Sequence, residues 1–217
     1  MADNDSRSGA ARYATPEILA FVDRTHAAHD DALARAFAAP AQHGMPAIQV
    51  GISEGKLLSL FTRLSGARKV VEVGTLAGYS AIRIARALPE SGKLWTLELE
   101  PKHARVAQDN IEAAGVSDRV TVLVGPALSS LTSIQSEGPF DMVFLDADKE
   151  GYLDYARWAD NHLRPGGLIL SDNAYYFGKL LADTPAAARV REFHDYVARH
   201  FDSVCIPTPD GLVLGLK

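Results

Sequence analysis

From Lys69 onward the chain changes rhythm, and short apolar, β-rich runs alternate with stretches of helical spacing. The runs are Lys69–Val73, Leu94–Leu99, Val120–Val124, Phe140–Asp146 and Leu168–Ser171, the central ones apolar almost throughout. Strands without polar alternation are covered on both faces. Between them, Tyr79–Leu88, Lys102–Ala114, about Leu128–Ile134 and Tyr152–Leu163 read as helices. Strands joined by right-handed helical crossovers build a parallel sheet. After a last helix near Ala186–His200, Ser203–Ile206 and Leu212–Leu216 flank Pro207, Pro209 and Gly211, a hairpin signal. A hairpin adds only antiparallel strands. The expected fold is α/β: a doubly wound, mostly parallel seven-stranded sheet with helices on both faces and a C-terminal antiparallel hairpin.

Two helices precede the sheet. Thr15-Pro16-Glu17 opens the first, which is expected to run to about Ala39 and break at Pro40. Ser53-Glu54 starts the second, and Gly66 closes it. They read as a helical cap, residues 15–66, on a single domain spanning 15–217, behind a flexible leader over 1–14. The leader is polar, with no apolar core of a secretion signal, and no run approaches the roughly 20 apolar residues of a membrane span. With one cysteine, Cys205, a disulfide framework is excluded and a reducing, cytoplasmic setting is expected. The formal charge of −5 gives no global pull on nucleic acid or anionic membranes.

Ligands of open α/β sheets bind beyond the carboxyl ends of the strands. The first strand runs into Gly74-Thr75-Leu76-Ala77-Gly78, whose glycines let backbone approach a ligand and whose helix start offers N–H groups to an anion. The spacing is not that of the dinucleotide oxidoreductases, which disfavours nicotinamide. Glu98, ending the second strand, is positioned to accept the hydroxyls of a ribose, while Glu100 before Pro101 belongs to the turn. The fourth strand ends in Asp146, with Lys149 three positions on, and the fifth in Asp172-Asn173. Asp146, Asp172 and Asn173 are three hard oxygen ligands at neighbouring strand ends, which suits magnesium. The seven histidines show no metal-like clustering.

VVEVGTLAGYS, LWTLELEP, GPAL, FDMVFLDADKEGY, RPGGLILSDN and DGLVLGLK, in this order, resemble the catechol and caffeoyl-CoA O-methyltransferases over roughly Ile48 to Lys217. The resemblance implies a Rossmann-like methyltransferase fold, S-adenosylmethionine as methyl donor, magnesium or another divalent cation such as manganese or calcium, and a homodimer. It implies that Val50, Glu72, Gly74, Thr75, Ser80, Glu98, Ala127, Asp146 and Asp148 meet the cofactor. Asp146, Asp172 and Asn173 would hold the metal, and Lys149 would stand beside the reacting hydroxyl as the catalytic base together with Asp146. The plant caffeoyl-CoA enzymes read DNTLWNG where this chain has Asp172-Asn173-Ala174-Tyr175-Tyr176-Phe177-Gly178, so Phe177 replaces a substrate-contacting asparagine.

The expected reaction is methyl transfer to a hydroxyl of a small catechol-like ring, with Tyr176 and Phe177 as walls of its site. A desolvated lysine can accept the hydroxyl proton as a neutral amine. Lys179, Arg189 and Arg191 keep open two other acceptors, a CoA thioester or hydroxylated uridine in tRNA, although the acidic balance argues against nucleic acid. A metal hydrolase would not need Glu98 or the glycine turn. A silent cofactor-binding module could lose the oxygen triad, which is complete here.

Overall fold

Val70 and Val71, neighbours in β1 (Lys69–Val73), pack into different hydrophobic clusters on opposite faces of one sheet, as the pleat requires. The same alternation runs through β2 (Lys93–Glu98), β4 (Phe140–Leu145) and β5 (Leu163–Ser171). Leu94, Met142, Phe144 and Leu170 bury against one layer of helices: α2 (Asp31–Gln42), α3 (Ile52–Leu64), α4 (Tyr79–Ala85) and α5 (Pro101–Ala113). Leu97, Val143, Leu145 and Ile169 bury against the other: α6 (Ala127–Ile134), α7 (Tyr152–His162) and α8 (Pro185–His200). The computed structural model describes residues 15–217; the leader expected over 1–14 lies outside them.

With β3 (Val120–Val124), β6 (Asp202–Ile206) and β7 (Leu212–Leu216), the sheet has seven strands in the order β3-β2-β1-β4-β5-β7-β6. The first five are parallel, and β7 runs antiparallel to both β5 and β6. The expected fold is therefore the observed one. Strand order reverses between β1 and β4, so their carboxyl ends open a crevice together with that of β5.

The N-terminal segment departs from the expectation. The single helix expected from Thr15 to Ala39 is two: α1 (Pro16–His26), capped by the Thr15 hydroxyl, and α2, capped by Asp30. The Leu33 N–H donates to Asp30 Oδ1 at 2.9 Å, and Arg86 pairs with the same carboxylate at 2.7 Å. Pro40 does not end α2 but sits buried in its last turn, where its ring covers core in exchange for one missing hydrogen bond. β5 starts earlier than Leu168 because a register shift between Phe140 and Met142 lets Leu163 join the ladder ahead of Pro165. Buried Arg83 holds the α1–α2 junction to α4: its guanidinium donates to Ala27 O at 2.9 Å and to the Tyr79 hydroxyl, which also meets His29 Nε2 at 2.8 Å.

Asp30→Ala should lower unfolding free energy by about 1 kcal/mol, the usual cost of a lost N-cap, visible as a lower urea midpoint. An unchanged midpoint would leave the break between α1 and α2 to the Arg83 contacts alone.

Candidate active site

The carboxyl ends of β1, β2, β4 and β5 border one cavity of about 880 Å³. Its walls include Val50, Gly74, Thr75, Ser80, Glu98, Ala127, Asp146, Asp148, Lys149, Asp172, Asn173 and Phe177. The fold brings these residues to one cavity from six separate segments. Glu72 lies behind the wall, fully buried, and Tyr176 is outside the lining.

Gly74 has φ +100°, and a Cβ there would stand 2.0 Å from the Asp146 carbonyl oxygen. The need for glycine is thus internal: β1 and β4 end so close together that no side chain fits. Two N–H groups of the turn ahead of α4 are already engaged within the protein. Glu98 Oε2 accepts from Leu76 N–H at 2.7 Å and Thr75 N–H at 3.2 Å, and Oε1 accepts from Glu100 N–H at 3.0 Å. Glu98 holds the glycine turn in shape while lining the cavity. His103 Nδ1 stands 3.5 Å from Oε1.

Burial pushes the Glu72 carboxyl up to about 8, against the Ser80 and Thr96 hydroxyls that favour its charged form. Thr96 donates to Glu72 Oε2 at 2.6 Å, while Oε1 is buried without a partner among the described residues. Asp172 is pushed up to about 7, first by burial and then by the charges of Asp146 and Glu54. Asp146 is raised by burial, and neighbouring Lys149 partly offsets it. Lys149 Nζ donates to Asp146 Oδ1 at 3.2 Å and to the buried Tyr152 hydroxyl at 2.6 Å. That hydroxyl is also 3.2 Å from both Leu145 O and Asp172 O, so it ties Lys149 to the ends of β4 and β5. Asp148 is taken up locally by Tyr155 O–H at 2.7 Å and Gly151 N–H at 2.9 Å.

Asp172 Oδ1 is a buried oxygen with no partner among the described residues. No three His, Cys, Asp or Glu side chains form a metal cluster among those residues. The candidate triad is two carboxylates and the Asn173 amide, a hard-oxygen set with one orphaned ligand, which fits a divalent cation better than a softer metal.

The cavity is acidic: Glu54, Glu98, Glu100, Asp146, Asp148, Asp172 and Asp210 face Lys149 and His103. The basic residues considered for phosphate lie elsewhere. Arg191 donates to Leu180 O and Ala182 O at 2.8 and 3.0 Å, and Arg189 pairs with Glu192 and Asp154. Trp158 packs on Phe140 and stacks on His162, within the α7 side of the core. Glu54, Tyr152, Tyr155, His103 and Asp210 were not singled out for the site in the sequence. Glu54 read there only as a helix start, and Asp210 only as the first residue of the closing DGLVLGLK motif.

The profile of the O-methyltransferase family matches residues 24–217. The chain belongs to that family. It is 48% identical over 170 residues to a catechol O-methyltransferase of Niastella koreensis, covering 76% of this chain and 77% of that one. A catechol O-methyltransferase of Mycobacterium tuberculosis is 45% identical over 175 residues, covering 81% and 79%. The O-methyltransferase TomG of Streptomyces achromogenes, solved in complex with SAM, superposes with a TM-score of 0.87 at 36% identity, covering 92% and 95%. No described helix of this O-methyltransferase is long and apolar enough to cross a membrane.

The raised Glu72 sets a pH dependence of stability. Unfolded, the group ionises near 4.5; folded, near 8. Between those values the native state holds a proton that the unfolded chain releases, so stability falls as pH rises through this window and levels off above it. Glu72→Gln should remove that slope, so the melting-temperature gain over the parent grows from pH 5 to pH 8. A constant difference across this range would mean that Glu72 is ionised in the folded chain.

Proposed function

We propose that this O-methyltransferase moves a methyl group from S-adenosylmethionine to one hydroxyl of a small catecholic ring, with a divalent cation held by Asp146, Asp172 and Asn173. The observation that carries it is the acidic cavity in which Lys149 lies 3.2 Å from the strand-end carboxylate of Asp146, with Asp172 in the same lining. Such a cavity attracts a sulfonium, an ammonium and a metal ion, and it repels a polyanionic CoA chain. The relatives named catechol O-methyltransferase support the same acceptor.

In this reading Glu98 accepts from a ribose hydroxyl with the one acceptor position of Oε1 left by its three backbone donors. Ser80 meets the methionine end, where an ammonium would favour the ionised form of Glu72 behind the wall. Val50, Thr75, Asp148 and Ala127 shape the remainder of the cofactor cleft. A divalent cation held by Asp146, Asp172 and Asn173 would supply a Lewis acid that lowers the pKa of the acceptor hydroxyl. Lys149 Nζ takes up the proton of the reacting hydroxyl. The Tyr152 hydroxyl accommodates either state of that amine, accepting from an ammonium or donating to a free amine. The phenolate oxygen attacks the methyl carbon, the carbon–sulfur bond breaks, and its electron pair stays on sulfur. Phe177 offers an apolar wall to the ring.

Three tests address the cofactor, the cation and the acceptor in turn. Glu98→Ala should weaken S-adenosylmethionine binding by about 1.5–3 kcal/mol in calorimetry with chelator present, the scale of a charge-assisted hydrogen bond. Full affinity in that variant would confine Glu98 to holding the glycine turn. Asp146→Ala, Asp172→Ala, Asn173→Ala and chelator should each abolish most methyl transfer, with cofactor binding intact in Asp172→Ala. In competition, a small catechol should exceed a CoA thioester by at least about tenfold in kcat/KM. A thioester or tRNA winning, with a steep loss of rate as salt rises, would overturn the catechol assignment.

A further inference from the structure

The six residues after Asp172 form an unusual turn. Asn173, Tyr176, Phe177 and Gly178 have φ of 54°, 52°, 54° and 75°, so three of the four left-handed residues carry a Cβ, two of them aromatic. Isolated non-glycine residues rarely adopt that region, and they persist in it only where the surroundings over-determine them. The restraint comes from the tip of the C-terminal hairpin. The Asp210 carboxylate accepts the Phe177 N–H at 3.0 Å through Oδ1 and 3.2 Å through Oδ2. The Asp210 carbonyl accepts the Tyr175 N–H at 2.9 Å, and the Gly211 carbonyl accepts the Ala174 N–H at 3.0 Å. Gly211, at φ +75°, leaves room for the turn: a Cβ there would stand 2.8 Å from the Tyr175 ring and 3.0 Å from Ala174 Cβ.

We infer that Asp210 is a positioning residue for the acceptor, a latch that holds the 173–178 turn so that Phe177 walls the cavity. This deepens the catechol reading and rests on it. Phe177 is 61% exposed, so little burial fixes it, and its N–H is tied down by a carboxylate 33 positions away. The latch is specific to the acceptor side of the cavity. The glycine turn and Glu98, on the cofactor side, make none of these contacts. Asparagine at 210 keeps a carbonyl oxygen for the Phe177 N–H, and alanine does not. Glycine at 177 adopts a left-handed backbone freely and so needs less restraint.

The test uses the full chain. Asp210→Ala should deprotect the Phe177 amide in hydrogen exchange on the ligand-free protein, a readout that requires no methyl transfer. It should also raise KM for catechol at least about tenfold while the S-adenosylmethionine Kd stays within about twofold. Asp210→Asn should retain amide protection and keep KM within about threefold of the parent. In a Phe177→Gly background the further effect of Asp210→Ala on KM should shrink to less than about twofold. Unchanged exchange at Phe177 in Asp210→Ala would overturn the latch. So would an Asp210→Asn variant as impaired as Asp210→Ala, or a loss of equal size in the Phe177→Gly background, since both describe a carboxylate that touches the acceptor itself. Exchange behaving as expected in a parent chain without activity on any catechol would instead count against the proposed acceptor.

Discussion

β1 and β4 meet so closely at their carboxyl ends that the Asp146 N–H donates to Val73 O at 2.8 Å and Gly74 turns away without room for a side chain. This junction is where strand order reverses, and the rest of the site hangs from it. Gly74 N–H reaches the other way, to Leu97 O at 2.9 Å, which joins the end of β2 to the same point. Asp172 N–H donates to Leu145 O at 3.0 Å and brings in β5. Four strand ends are thereby fixed by backbone hydrogen bonds before any side chain acts. Glu72, Glu98, Asp146 and Asp172 then converge because each sits within one residue of its strand's end.

Convergence of that kind is legible in a sequence. Parallel strands buried on both faces leave polar residues only where the strand emerges, so an acid after four apolar residues, as at Asp146, marks the ligand edge. Apart from the early start of β5 at Leu163, the strand bounds match the sequence to within a residue, because the runs are apolar almost throughout. The break between α1 and α2 was not, since Ala27, Ala28 and His29 contain no breaker and the cap at Asp30 looks like any surface acid. Pro40 misled in the opposite direction: a proline tolerated in a last turn by burial has the same spelling as one that ends a helix.

Much of the candidate cavity's lining was legible, though not Glu54, His103 or Asp210, and its wiring was less so. That Glu98 spends three acceptor positions on backbone amides, or that Tyr152 gathers Lys149 and two strand-end carbonyls, depends on distances that no spacing rule encodes. Asp210 was hidden for a further reason. Its partner Phe177 lies 33 positions away, and what links them is a backbone conformation rather than a complementary pair of side chains. Turn chemistry in a sequence reports local hydrogen bonds, and this one is tertiary.

The acids also explain why such a cavity belongs to a ligand-dependent protein. Glu72, Asp146 and Asp172 all have raised proton affinities from burial, and Asp172 is pushed further by its acidic neighbours. Each strains the folded chain when it ionises alone, and each is relieved by a cation. A chain selected only for stability would replace these buried carboxylates with apolar residues of similar volume, often without loss. Keeping them makes sense where positively charged ligands bind the folded state and not the unfolded one, because occupancy then restores stability in proportion to the logarithm of ligand concentration. The same groups that weaken the empty fold select what fills it. In the proposed reaction the thioether product lacks the sulfonium charge of the donor, so the acidic wall would hold it less tightly than the donor.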